Sequence, residues 1–233
     1  MGYFAKWGPD SDGPVRETLG ASFKQYLFNS VKLYGNARYD LYSEVFNEVL
    51  GGVKYFPLPN LVLTGEWYQS YPTFDADSIY AVFAVNRYQE WVFRGDYTIN
   101  DMITVNAGYN RQVYGDDGAA DVYQVGCRIR PIEPLAVNLQ YDKRHGFNGS
   151  LDGGIVDVTY YATKQLELAA GFQYDVYTRE DILSTGDEIA RKFWGGAKYK
   201  LAKNMSASVR IQDDVNRLFS ENWQGRFVFN YDF

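Results

Sequence analysis

Residues 102–114 read MITVNAGYNRQVY, and the way they alternate decides how the chain is built. Ile103, Val105, Ala107, Tyr109 and Val113 occupy every second place, while Thr104, Asn106, Asn110 and Gln112 fall between them. A side-chain period of two belongs to a strand, because successive side chains leave a pleated backbone on opposite faces. The segment therefore presents one apolar and one polar surface, and a helix drawn through it would mix the two.

The same rule extends outward from this stretch. Tyr123, Val125, Cys127 and Ile129 oppose Gln124, Arg128 and Arg130; Leu135, Val137, Leu139 and Tyr141 oppose Asn138, Gln140 and Asp142. Further on, Leu166, Leu168, Ala170, Phe172, Tyr174 and Val176 oppose Glu167, Gln173 and Asp175. Met205, Ala207, Val209 and Ile211 oppose Ser206, Ser208, Arg210 and Gln212. The strands so marked run roughly ten to thirteen residues, which suits a tilted membrane crossing. Their connections alternate in kind. Tight ones fall at 57–60, 100–101, 131–134, 163–165 and 202–204; longer polar ones fall at 71–77, 115–119, 145–153, 178–188 and 213–220. Short turns on one edge and longer loops on the other are the habit of up-and-down membrane barrels.

This spacing predicts twelve strands, over 31–42, 45–56, 60–71, 87–99, 102–114, 120–131, 134–144, 154–163, 165–177, 189–201, 205–214 and 219–233. Residues 78–86, with Ile79, Ala81, Phe83 and Val85, read as an outer extension of the strand that follows, since a separate strand would break the alternation. Residues 1–30 form a distinct N-terminal segment ahead of a barrel over 31–233. Tyr3, Ala5 and Trp7 suit a short strand. Val15, Leu19, Phe23, Tyr26 and Leu27 stand at helical spacing behind a start at Asp12-Gly13-Pro14, although Gly20 and the aromatic content weaken a helix. The reading is twelve strands plus this N-terminal element, or fourteen if both pieces are strands.

Composition narrows the function. The 233 residues carry a net charge of −6 with pI near 4.9, and 18% are aromatic, 21 of them Tyr. No apolar run reaches the length of a transmembrane helix, roughly 18 residues. An acidic chain without a Lys/Arg stripe argues against a nucleic-acid partner. One cysteine, Cys127, rules out an internal disulfide framework. One histidine, His145, argues against His-based zinc or catalytic clusters, and it reads as a solvated loop residue at the outer rim. Asp10-Ser11-Asp12-Gly13 and Gly115-Asp116-Asp117-Gly118 lack the distal Glu of a calcium loop and read as solvated turns. Gly51-Gly52 and Gly195-Gly196 precede no helix, so they relieve crowding in strands rather than cradle phosphate. Trp194 breaks the pattern by sharing the polar face, where it either fills space or stacks on a sugar. No catalytic residue, cofactor or metal is expected.

The chain ends Phe227-Val228-Phe229-Asn230-Tyr231-Asp232-Phe233, an alternating aromatic strand that stops on phenylalanine. This ending, with the alternating strands and connections, resembles bacterial outer-membrane β-barrels of the porin-like kind. The resemblance implies an all-β, antiparallel, up-and-down transmembrane β-barrel in the cell outer membrane. It also implies that Phe233 is a signal read by the barrel-assembly machinery. Rings on the apolar face then form two belts: Tyr55, Tyr97, Tyr199 and Tyr231 on the turn side, and Trp67 or Tyr71, Tyr123, Tyr141, Tyr174 and Trp223 on the loop side. The polar face becomes the lumen, with Arg38, Glu66, Glu90, Arg94, Arg128, Arg130, Asp142, Asp157, Glu167, Lys192, Lys198, Arg210 and Arg226 lining the pore.

The expected function is passive, non-enzymatic diffusion of small hydrophilic solutes, with outer-membrane lipid around the barrel. Alternatives are the C-terminal barrel of an exopolysaccharide export protein and a structural barrel sheathing a partner protein. The export reading is suggested by the turns Val53–Asn60 and Arg130–Leu135, and its solute is a polysaccharide. No export signal precedes Tyr3, so a signal or a larger upstream region is expected to have been removed. A non-membrane β-sandwich or lipocalin-like barrel would instead bury its apolar face in a dry interior.

Overall fold

The computed structural model describes residues 1–7, 14–72, 87–178, 187–217 and 219–231. They form fourteen strands: β1 (Gly2–Trp7), β2 (Pro14–Leu27), β3 (Val31–Asp40), β4 (Val45–Leu58), β5 (Leu61–Ser70), β6 (Tyr88–Asn100), β7 (Ile103–Tyr114), β8 (Ala119–Ile132), β9 (Leu135–Gly146), β10 (Ser150–Tyr161), β11 (Leu166–Thr178), β12 (Glu188–Ala202), β13 (Met205–Val215) and β14 (Trp223–Tyr231). None of the described residues is helical. The strands follow one another in chain order within a single sheet. The extension expected at 78–86, the acidic turn at 10–13 and the terminal Phe233 lie outside the described residues.

Two compact units divide the chain. One comprises Met1–Gly95 with Gly108–Asp121, the other Asp96–Ala107 with Val122–Phe233. In the first, antiparallel register sets Leu19, Ala21, Phe23 and Leu27 of β2 opposite Tyr39, Ala37, Gly35 and Val31 of β3. Leu33 meets Val53, and Tyr55 meets Leu63, so these residues share one face. In the second, Leu139, Val156, Phe172 and Phe193 form one rung across β9–β12. Val209 then stands opposite Phe227.

The strand β2 corrects the helical reading of 14–28. Leu19, Phe23 and Leu27 are spaced by four, and four is a multiple of the strand period as well as close to a helical turn. The spacing fits both structures. Pairing decides between them, since β2 bonds on both sides, to β1 and to β3. The sheet therefore has fourteen strands, and the N-terminal segment supplies the extra hairpin. The β2–β3 turn uses Phe28 and Asn29, both at positive φ (52° and 57°), with the Ser30 amide donating to the Leu27 carbonyl at 3.3 Å. Two positive φ angles make a hairpin turn whose twist matches its strands. Phe is a poor residue for that conformation, which hides the turn from a sequence reader.

A second correction concerns 145–153. β9 runs to Gly146 and β10 starts at Ser150, so only residues 147–149 turn, and His145 lies in a strand. Asn148 and Gly149 at positive φ make so short a connection possible.

Candidate functional site

Burial is inverted relative to a water-soluble protein. Among the described residues the only buried hydrophobics are Ala120 (0% exposed) and Ala136 (3%). Glycines aside, what is buried besides is polar: Thr18, Asp40, Asn47 and Thr64. The large apolar side chains stand in the open, with Phe227 70% and Val125 58% exposed. Apart from Phe4, Tyr26, Ile132 and Tyr161, the exposed hydrophobics within strands share one face of their strand, so each unit carries an apolar surface larger than a water-soluble monomer usually shows. Rings lie at both ends of the wall. Tyr55, Tyr97, Tyr199 and Tyr231 mark the turn end, and Trp91, Tyr123, Tyr141 and Trp223 the loop end, all exposed. Trp67, expected in the loop-side belt, packs at a tilt against Trp91 with centroids 6.1 Å apart.

Register in β3–β5 and β9–β14, together with alternation along β6 and β8, places the thirteen sequence-predicted site residues on the polar face of their strands. In the first unit Arg38 pairs with Glu48 across β3 and β4 at 3.4 Å. Asn36 donates to the same Glu48 at 3.1 Å. The Tyr34 hydroxyl donates to Glu66, and Asn110 and Gln112 donate to Glu90 at 3.1 and 3.3 Å. Asp40, 1% exposed, accepts from the Tyr42 and Ser43 amides at 3.0 and 2.8 Å, which folds the β3–β4 turn onto its carboxylate. Arg94 shares the polar face of β6 with Glu90 by alternation.

In the second unit a short pattern repeats that sequence reading overlooked. Gln140, Gln173 and Gln212 each donate to the aspartate two residues on, Asp142, Asp175 and Asp214, at 2.8, 2.7 and 3.0 Å. The visible signal was Gln-x-Asp on three separate strands, since residues two apart on one face are within reach. Lys192 lies 3.3 Å from Asp214. Glu167 stands opposite Lys198, Asp157 opposite Asn138, and Arg210 directly opposite Arg226. Arg128 and Arg130 follow the same alternation on β8.

Two aromatic rings on this face fit over glycines. A methyl group at Gly52 would come within 2.5 Å of the Tyr34 ring, and one at Gly171 would strike the Trp194 ring. The glycines are thus hollows that receive rings from the neighbouring strand. Trp194 also carries the Arg210 guanidinium, 5.2 Å from its ring centroid. Its position is that of a packed spacer supporting a cation. His145 is exposed on β9 and alternates with the charged residues Asp142 and Arg144, so it falls on the apolar side.

No family model matches the sequence, and no curated protein matches it. Solved structures do. A bacterial polysaccharide outer-membrane secretin is similar at TM-score 0.64 and 13% identity, over 97% of this chain and 80% of that one. OccK3 of Pseudomonas aeruginosa gives TM-score 0.71 at 10% identity, covering 99% of this chain and 74% of that one. OccAB2 of Acinetobacter baumannii gives 0.70 at 12% identity, over 96% and 69%. The fold is that of bacterial outer-membrane β-barrels, antiparallel and up-and-down.

Proposed function

We propose that the chain is a non-enzymatic outer-membrane channel through which small hydrophilic solutes diffuse, with the polar face as its lumen. The observation that carries this reading is the inverted burial. Only acyl chains can stabilise a wall of exposed Phe, Leu, Val and Ile, and only an aqueous space or close pairing can stabilise so many ionic groups behind it. The fold shared with OccK3 and OccAB2 supports a barrel of this kind. On this reading Arg38, Glu66, Glu90, Arg94, Arg128, Arg130, Asp142, Asp157, Glu167, Lys192, Lys198, Arg210 and Arg226 line the pore. The barrel-assembly machinery would receive Phe233.

Planar-bilayer recording of the detergent-folded protein tests it. Discrete ohmic steps are expected, and charge reversal of Arg128 and Arg130 to Glu should move ion preference toward cations. A protein that inserts but gives no steps is a plugged or structural barrel instead. The likeness to a polysaccharide secretin favours a second reading, an export barrel for a polymer. Helical repeats encoded upstream of Met1 in the native gene would decide for it.

A further inference from the structure

The polar face is sorted along the strands, and both units show the sorting independently. Toward the loop end, carboxylates are held by donors: Glu48 by Arg38 and Asn36, Glu90 by Asn110 and Gln112, Asp214 by Lys192 and Gln212. Toward the turn end, cations accumulate. In the first unit Lys24, Lys32 and Lys54 stand near the β2–β3 and β4–β5 turns, with Lys32 directly opposite Lys54. In the second, Lys198, Lys200 and Lys203 surround the β12–β13 turn, and Arg210 opposes Arg226 further in.

Like charges set directly across a ladder destabilise it. Among the described residues none of these cations is in an ion pair. Several rest on rings instead: Lys24 lies 5.2 Å from the Tyr26 centroid and Lys32 5.0 Å from that of Tyr34. A ring holds a cation without cancelling its charge. Acids do share this half of the second unit, namely Asp96, Asp101, Glu133, Asp157 and Glu167. Even Glu167, which faces Lys198 across the ladder, makes no ion pair with it.

The turn end of β12–β14 also has a shape. A hollow of about 410 Å³ is lined by Lys198, Lys200, Lys203, Asn204, Ser206 and Asn230. Three ammonium groups with hydroxyl and amide donors between them form a receptor for clustered oxygen anions. We propose that this hollow binds multivalent anions, solutes bearing several phosphate or carboxylate groups, and passes them to the Arg210–Arg226 pair. The inference rests on the channel reading for its role in transport, naming the class of solute, whereas the binding site stands without it.

Titration calorimetry of the detergent-folded protein with tripolyphosphate, and separately with citrate, tests binding; the two probes tell a phosphate from a carboxylate preference. Saturable binding that weakens with added salt is expected. The triple variant Lys198→Gln, Lys200→Gln, Lys203→Gln should lose at least tenfold in affinity. The corresponding triple Lys→Arg variant should keep it, which separates charge from folding. Lys143→Gln, on the apolar face, should change nothing. In bilayers under a KCl gradient, the native channel should prefer chloride and the triple Gln variant should lose that preference. A silent protein that still binds tripolyphosphate overturns the channel and leaves the site standing. A conducting protein that ignores both anions, or binds them equally after the Gln substitutions, overturns the site.

Discussion

At the scale of single residues, three positions carry costs that can be measured. Phe28 adopts a left-handed conformation that penalises any residue with a Cβ, and bulky ones most. Phe28→Asn should therefore stabilise the protein by about 0.5–1 kcal/mol, read as a higher urea midpoint of the lipid-reconstituted protein. An unchanged or lower midpoint would mean that the exposed ring has a membrane contact worth more than the strain. Gly171 receives the Trp194 ring, so Gly171→Val must expel it; a loss of about 1–3 kcal/mol is expected, largely restored by adding Trp194→Ala. Asp40→Ala strands two turn amides beside a buried position and should cost about 2 kcal/mol, while Asp40→Asn retains an acceptor and should cost less.

Strands were legible in the sequence wherever their period was unambiguous. β7 and β11 declare themselves because their apolar residues sit at odd multiples of two that no helix reproduces. β2 does not, because its key residues are four apart, and its turn is built on Phe28-Asn29 rather than a familiar Asn-Gly pair. The polar face was legible for the same reason as the strands, since alternation alone sorts Arg210 from Val209. Which polar residues touch was not, because contact depends on register, and register depends on turns as short as residues 147–149. The two faces make opposite forecasts for one substitution. Val209→Arg, at mid-strand on the apolar face, should cost about 2–4 kcal/mol. Ser208→Arg, its neighbour on the polar face, should cost less, about 0.2–1 kcal/mol, because Lys198 lies opposite. Equal costs in the two variants would refute the assignment of the apolar wall to lipid.

At the scale of the molecule, the near absence of buried hydrophobics among the described residues means that stability is not intrinsic to the chain in water. Hairpin register, paired charges and an apolar solvent must act together. Removing detergent or lipid should therefore aggregate the protein rather than leave a folded monomer, a result that sedimentation checks directly. A soluble, monodisperse product with its strand content intact would contradict the membrane reading outright. Composition gave little warning of this, since the mean hydropathy of −0.37 is ordinary for a soluble chain. The order of the sheet carries a historical implication. Wherever register is described, each strand joins only its neighbours along the chain. A wall assembled this way can gain or lose one ribbon without rewiring the others, so a gene duplication spanning a single ribbon would yield a wider relative in one step.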